Sequence, residues 1–230
     1  MTRGLINKPD MKMFALFGFL LIPILYLFYA GKLGTSLGIF PNTFFIIITA
    51  ILLLQVFEVP LYHTRTKKPD YTSREALLLG EVYSVPLEEE LKSGDPRTYY
   101  TTVTLNIGGF ILPLLIALRL LYIVPMLEAI LITLIMVIAT NLLSEPKSGV
   151  GILVPKSIGL LTVPLALILA PQSIAPVIFV SGVLGILIGM ITQLYSIKER
   201  GSSYVNLGGI GSFQAIYITI LLSVLFSFFR

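Results

Sequence analysis

Apolar runs of about bilayer length, separated by short polar joints, recur along almost the whole chain. They are Met13–Ala30, Pro41–Phe57, Val103–Val124, Pro125–Leu143, Ile158–Ala170, Ile174–Leu194 and Phe213–Phe229. A spanning helix needs ~20 predominantly apolar residues. A chain of this pattern has few soluble solutions, because its apolar surface exceeds what a water-facing fold can cover. Composition agrees: of 230 residues 56% are hydrophobic and only 12% charged, about half the charged share of an ordinary soluble domain. The expected fold class is an all-α polytopic membrane protein with about seven transmembrane helices and a small cytoplasmic β-containing insert. Residues 1–230 form a single transmembrane domain, with 58–102 as the polar insert within it.

The first run follows Arg3, Lys8 and Lys12, as a signal peptide would, but its length exceeds a typical signal core, so it is read as a retained span. The fifth run is short and broken by Pro164, and a re-entrant path is its alternative. Seven crossings with a cytoplasmic N-terminus leave only Lys32, Arg119 and Arg230 of the 16 lysines and arginines outside. That asymmetry is the usual signature of orientation. The expected location is therefore the cell membrane, multi-pass.

Within the insert, Val59–Thr66, Glu81–Val85 and Thr98–Leu105 alternate or are rich in β-branched and aromatic residues, which predicts two or three strands. The segment Glu145–Lys156 mixes apolar residues with Gly149, Gly151, Pro146 and Pro155. It suits a broken helix or re-entrant turn buried in protein or lining a wet cavity. Gly182, Gly185 and Gly189 recur at helical spacing, a small-residue face for helix packing.

The four residues Asn106-Ile-Gly-Gly109 are echoed by Asn206-Leu-Gly-Gly209, each opening an apolar run. Asn is a good helix N-cap, and paired glycines allow close approach of a backbone or a ligand. Two readings stand side by side: capped helices that pack through glycine, and a ligand site at helix N-termini. The candidate ligand-binding set is Asn106, Gly108, Gly109, Asn206, Gly208, Gly209, Gly211, Gln214, Gly149 and Gly151. Gln55, Glu58, Asn141 and Gln193 also fall at the predicted cytoplasmic ends of spans and could join a polar cluster there.

Absences restrict the chemistry. Cysteine is missing, His63 is the sole histidine, and Asp10, Asp70 and Asp95 all lie outside the apolar runs. Zincin, intramembrane serine-protease and intramembrane aspartyl-protease sites are thereby excluded, as are a Walker loop and an Asp-rich magnesium motif. No catalytic residue, metal site or cofactor is assigned. The expected partners are the lipid bilayer, a lipid or small anion as ligand, and a second copy of the chain in a homo-oligomer. Nucleic acid is not among them, since a net charge of +4 reflects loop bias.

An ordered set of strings carries a resemblance: Val59-Pro-Leu-Tyr62, Val82-Tyr-Ser-Val-Pro86, Thr104–Pro113, Gly149-Val-Gly-Ile152, Ala175–Gly189 and Gly208-Gly-Ile-Gly-Ser-Phe213. In these the chain resembles a prokaryotic family of polytopic membrane proteins carried as a domain of unknown function, its label ending in 1614. The resemblance implies the membrane fold and names no activity. Relatives often place an Asp two residues after the Gly matching Gly189 and another directly after the Phe matching Phe213. Ile191 and Gln214 stand at those positions here, so an acid pair is not carried over. The function expected is binding or transport of a small solute, ion or lipid through a cytoplasm-facing polar site. A non-catalytic scaffold or assembly factor is one alternative, and a membrane enzyme using Glu58, His63 or the Tyr99/Tyr100 pair is another.

Overall fold

The structure is a computed structural model that describes residues 6, 10–29, 37–65, 71–83, 85, 87–88, 100–147, 149–200 and 204–228, with the backbone alone for Leu27, Arg65, 195–200 and Phe228. Arg3, Lys8, Lys32, Lys67, Lys68, Lys92, Arg97 and Arg230, which enter the charge asymmetry, lie outside the described residues, as does Tyr99.

In chain order the elements are α1 (Met11–Tyr29), α2 (Pro41–Leu54), β1 (Glu58–Arg65), α3 (Ser73–Tyr83), β2 (Tyr100–Asn106), a π-helical turn (Ile107–Ile111) running into α4 (Leu112–Leu120), and α5 (Met126–Leu143). There follow β3 (Glu145–Lys147), β4 (Gly151–Leu153), a 3-10 turn (Ile158–Leu161) leading into α6 (Thr162–Leu169), α7 (Ile174–Arg200), β5 (Tyr204–Leu207) and α8 (Phe213–Phe228). Among the described residues, two helical segments are long and apolar enough to cross a membrane, Met126–Leu143 and Ile174–Leu194. The other apolar helices, Met11–Tyr26, Pro41–Leu54, Ile107–Leu120, Ile158–Leu169 and Phe213–Ser227, are shorter.

Chain chemistry sets several of these boundaries. Pro41 opens α2, where its missing N–H is an orphan position anyway. Asp10 caps α1, its Oδ1 accepting from the amides of Lys12 at 3.0 Å and Met13 at 3.2 Å. Thr72 and Glu75 form a reciprocal capping box at the start of α3, with the Thr72 amide donating to Glu75 Oε2 at 3.0 Å and the Glu75 amide to Thr72 Oγ1 at 3.3 Å.

Helix α7 is the centre of the bundle. Its apolar window is 78% buried, whereas that of α5 is only 22% buried, so α5 is a peripheral helix. A Cβ on Gly185 would sit 2.3 Å from Met136 Cβ, and one on Gly189 2.6 Å from Thr140 Cβ. The small face of α7 therefore receives α5 directly, as the glycine spacing predicts. Hydroxyls tie the bundle across helices: Ser181 on α7 donates to the Ala129 carbonyl at 3.0 Å, and Ser223 on α8 to the Ala175 carbonyl at 2.8 Å. Phe17 on α1 meets Tyr217 on α8 edge-on with ring centroids 4.8 Å apart, and Phe213 stacks on Tyr217 at 5.4 Å. Such aromatic pairs contribute roughly 0.5–1.5 kcal/mol each beyond their buried area.

A three-stranded sheet of order β1-β2-β5 lies at one end of the bundle. β1 and β2 are antiparallel, with Glu58 opposite Asn106 and an irregularity between Pro60 and Tyr62. β2 and β5 are parallel, with Thr104 opposite Asn206.

Three sequence readings change. Glu81–Val85 is not a strand: Glu81–Tyr83 is the last turn of α3, whose capping box outweighs a short alternation. The run read as a span from Val103 begins as strand, and helix starts only after Asn106. Glu145–Lys156 is not a broken helix: it holds a β3–β4 hairpin and an extended exit, pinned by the Val154 amide donating to the Gly211 carbonyl at 2.9 Å.

Candidate functional site

The centre of the sheet end is a carboxylate. Glu58 begins β1 immediately after α2 and is 2% exposed. Its Oε2 accepts from Thr104 Oγ1 at 2.9 Å and from the Tyr204 hydroxyl at 2.6 Å, and its Oε1 accepts from Asn206 Nδ2. All three strands thus converge on one side chain. Hydrogen bonds of this kind offset part of the desolvation of a buried charge.

Asn106 and Asn206 take different roles. Asn106, fully buried, accepts from the Gly109 amide at 2.8 Å and donates through Nδ2 to the Gln55 carbonyl at 2.5 Å. It caps the π turn and locks it to the end of α2. Asn206 faces Glu58 instead, and its Oδ1, like Gln55 Nε2, is buried without a hydrogen-bond partner.

The paired glycines accommodate protein. A Cβ on Gly108 would lie 2.2 Å from the Ile51 carbonyl oxygen, one on Gly149 2.2 Å from Leu87 Cδ1, and one on Gly209 2.1 Å from Asn206 Nδ2. Gly208, at φ +80°, abuts Gly109 across the sheet end. Gly151 has more room, its nearest neighbour being the Asn206 amide at 3.5 Å. The turn amides are also engaged internally, since Ser212 and Phe213 both donate to the Gly209 carbonyl, at 3.0 and 2.8 Å. At Gly108, Gly109, Gly208 and Gly209 the paired glycines pack closely against protein, and the amides of Gly109, Ser212 and Phe213 are bonded within it.

Beside this cluster opens a cavity of about 560 Å³. Glu58 and Gln55 reach it from the junction of α2 and β1, Gly209, Gly211 and Gln214 from the turn into α8, and Glu145 and Lys156 from the two ends of the hairpin segment. Asp10 and Met13 close it from α1, and Val82 and Tyr83 from α3. Of the sequence-predicted set, Gly209, Gly211 and Gln214 line the cavity, while Asn106 and Asn206 stand behind its wall. Asn141 and Gln193 form a separate clasp between α5 and α7: Asn141 Nδ2 donates to Thr192 Oγ1 at 2.7 Å, and Gln193 Nε2 to the Asn141 carbonyl at 2.5 Å. His63 pairs with Thr102 Oγ1 at 2.9 Å on the exposed sheet face. Among the described residues no group of side chains has a metal-holding arrangement.

Sequence reasoning noticed Glu58 as a helix-end residue, a possible member of a polar cluster and a candidate of the enzyme alternative, and missed Thr104, Tyr204, Asp10 and Glu145. A glutamate closing an apolar run was the one available signal.

The architecture is that of a mainly helical protein with two membrane-length apolar helices and a small sheet that holds a buried carboxylate. The chain belongs to the family described as "Protein of unknown function (DUF1614)", whose model matches residues 52–226. Among the described residues, that match takes in all three strands of the sheet and every cavity residue except Asp10 and Met13. No curated protein and no solved structure matches the chain.

Proposed function

We propose that the chain is a multi-pass membrane protein that binds, and by extension moves, a small solute, ion or lipid through a cavity facing the cytoplasm. The observation that carries this reading is the cavity of about 560 Å³ with the buried Glu58 on its surface, set where apolar helices end. Ligand sites of this size, mostly apolar with a few polar groups, are the common form.

Three features support the membrane part. The outward side of α5 is apolar throughout, with Leu127, Ile130, Leu131, Leu134, Ile138 and Leu142 exposed. A soluble protein does not present such a stripe, whereas hydrocarbon accepts it. The α1 start, α2 end, α5 end and α8 start all meet at the cavity, which fits helices that alternate in direction. Lys12, Arg74, Lys147 and Lys156 belong to segments at that end and Arg119 to the far turn, the charge bias of a cytoplasmic face. Segment Ile158–Leu169 is too short to cross a ~30 Å core alone. Its extended lead-in from the hairpin supplies the remaining depth in a seven-crossing path.

The test is native mass spectrometry of gently extracted protein, comparing wild type with Val82→Trp. Val82 is 69% exposed and on the cavity wall, so the indole fills the cavity without disturbing the core. A small molecule that co-purifies with wild type and is lost in the variant is the expected result. A bare protein in both cases sinks the binding reading and favours a scaffold, for which the exposed Leu77, Leu78 and Tyr62 of the sheet end would be the contact surface.

A further inference from the structure

Resting on the reading of a binding cavity, we infer that α3 is its lid. The last turn of α3 swings across the cavity and buries Val82 against Leu143 at the end of α5, closing the cavity over its contents.

The attachment of α3 is slight. All eleven of its residues are described, and Ala76 alone is buried. A helix of this length is marginal by itself and depends on packing. Among the described residues, the main core of the bundle takes no side chain from α3. Ala76 instead joins a small separate core with Val85, Leu87 and Val150. Leu87 seats against Gly149, and the Val85 amide donates to the Gly80 carbonyl at 3.0 Å, folding the chain that leaves α3 back onto it. α3 thus rests on the turn between β3 and β4. Segments with so few buried apolar contacts are the ones that open and close while the rest of a fold stays intact.

The position of α3 gives that motion a purpose. Leu153 and Ile210 pack against the small core and also line the cavity, so the support of α3 stands at the cavity margin. Val82 and Tyr83 bring α3 itself onto the cavity wall. Val82 is 69% exposed there, and Leu143, on the wall supplied by α5, is 53% exposed. Leu78, one turn before Val82 on the same ridge, is exposed as well. Closing the weakly held wall onto the fixed one hides these apolar side chains from water. Lids of enzymes and carriers seal their sites from solvent by such movements.

The experiment measures a distance in the full-length, detergent-extracted protein. The chain has no cysteine, so spin labels on Glu81→Cys and Leu142→Cys are unique and leave Val82 and Leu143 native. Leu53→Cys/Leu142→Cys is the reference pair, both members belonging to helices of the bundle. Pulsed dipolar spectroscopy is expected to give two distances for the Glu81/Leu142 pair and one for the reference. Val82→Asp is expected to reduce the shorter-distance population roughly tenfold or more, because closure would bury an unpaired carboxylate. Val82 is exposed, so this variant keeps the fold. A single distance, or a shorter one that Val82→Asp leaves unmoved, overturns the lid. If a ligand nevertheless co-purifies in native mass spectrometry, the binding cavity stands with a fixed wall. Two distances that respond to Val82→Asp in a protein that carries no ligand uphold the moving helix and sink the binding reading instead.

Discussion

The α-carbons of Gly109 and Gly208 bring two distant strand ends into contact: a Cβ added to Gly109 would lie 1.8 Å from the Gly208 carbonyl oxygen. Gly109→Ala therefore must push apart the turns leading to α4 and α8. Overpacking in a tight core costs about 1–3 kcal/mol, and more where backbone is the obstacle. Loss of folded protein in a detergent melt is expected for Gly109→Ala and unchanged melting for Gly18→Ala, whose Cβ would meet nothing within 4 Å. Equal melting of the two variants would contradict the close contact.

Thr104 and Tyr204 share one oxygen of Glu58. Thr104→Val and Tyr204→Phe each withdraw a donor from a buried carboxylate, at about 1–3 kcal/mol apiece. Because the two act on a single atom, the double variant is expected to depart from additivity by roughly 0.5–3 kcal/mol. Additive chemical-denaturation midpoints would show that the hydroxyls act independently.

The capping box at α3 gives a pH dependence. The Thr72 backbone amide, then its hydroxyl, hold the Glu75 carboxyl below its ordinary value. The folded pKa is lowered, so the contribution is complete above the unfolded carboxylate pKa and disappears as pH falls through the folded one. Amides in the first turn of α3 should exchange faster with solvent under acid conditions, after correction for intrinsic rates. Thr72→Ala should show the faster opening already at neutral pH. If acid leaves the wild-type protection unaltered, the box does not hold this helix end.

The chain contains no cysteine, so any introduced thiol is unique. In sealed vesicles, an impermeant maleimide should label Tyr122→Cys and Gln172→Cys from the outer side and His63→Cys only from the cytoplasmic side. Gln172 joins α6 to α7, and labelling of it from the cytoplasmic side would replace seven crossings with a re-entrant segment. Ile138→Arg on the exposed stripe of α5 should impair insertion, since a central arginine costs about 2.5–3.5 kcal/mol.

Much of this architecture is legible from local patterns and much is not. β1 and β2 announce themselves by alternation, and the apolar helices by run length. α3 was open to reading too, because Thr72-Ser-Arg-Glu75 is a capping-box signature ahead of Ala76-Leu-Leu-Leu79. β5 was not: all four of its residues are buried, so no alternation marks it. The candidate site suffers from the same limit. Glu58 is visible as a charge closing an apolar run, but its donor Tyr204 lies 146 residues away, and only the parallel pairing of β2 with β5 brings them together. Asn106 and Asn206 look alike as four-residue motifs, yet the two-residue offset in that pairing gives one to a helix cap and the other to the carboxylate.

That pairing also dictates an order of assembly. β2 must wait for β5, with Thr102 opposite Tyr204, and everything from α4 through α7 is synthesised in between. Contacts this distant in sequence form late, after the intervening chain has found its place. Until β5 leaves the ribosome, Glu58 lacks the donors Tyr204 and Asn206. A nascent chain stalled or truncated before residue 204 would thus lack the strand that carries Tyr204 and Asn206 to Glu58, so the sheet end is completed only when almost the whole chain has been made.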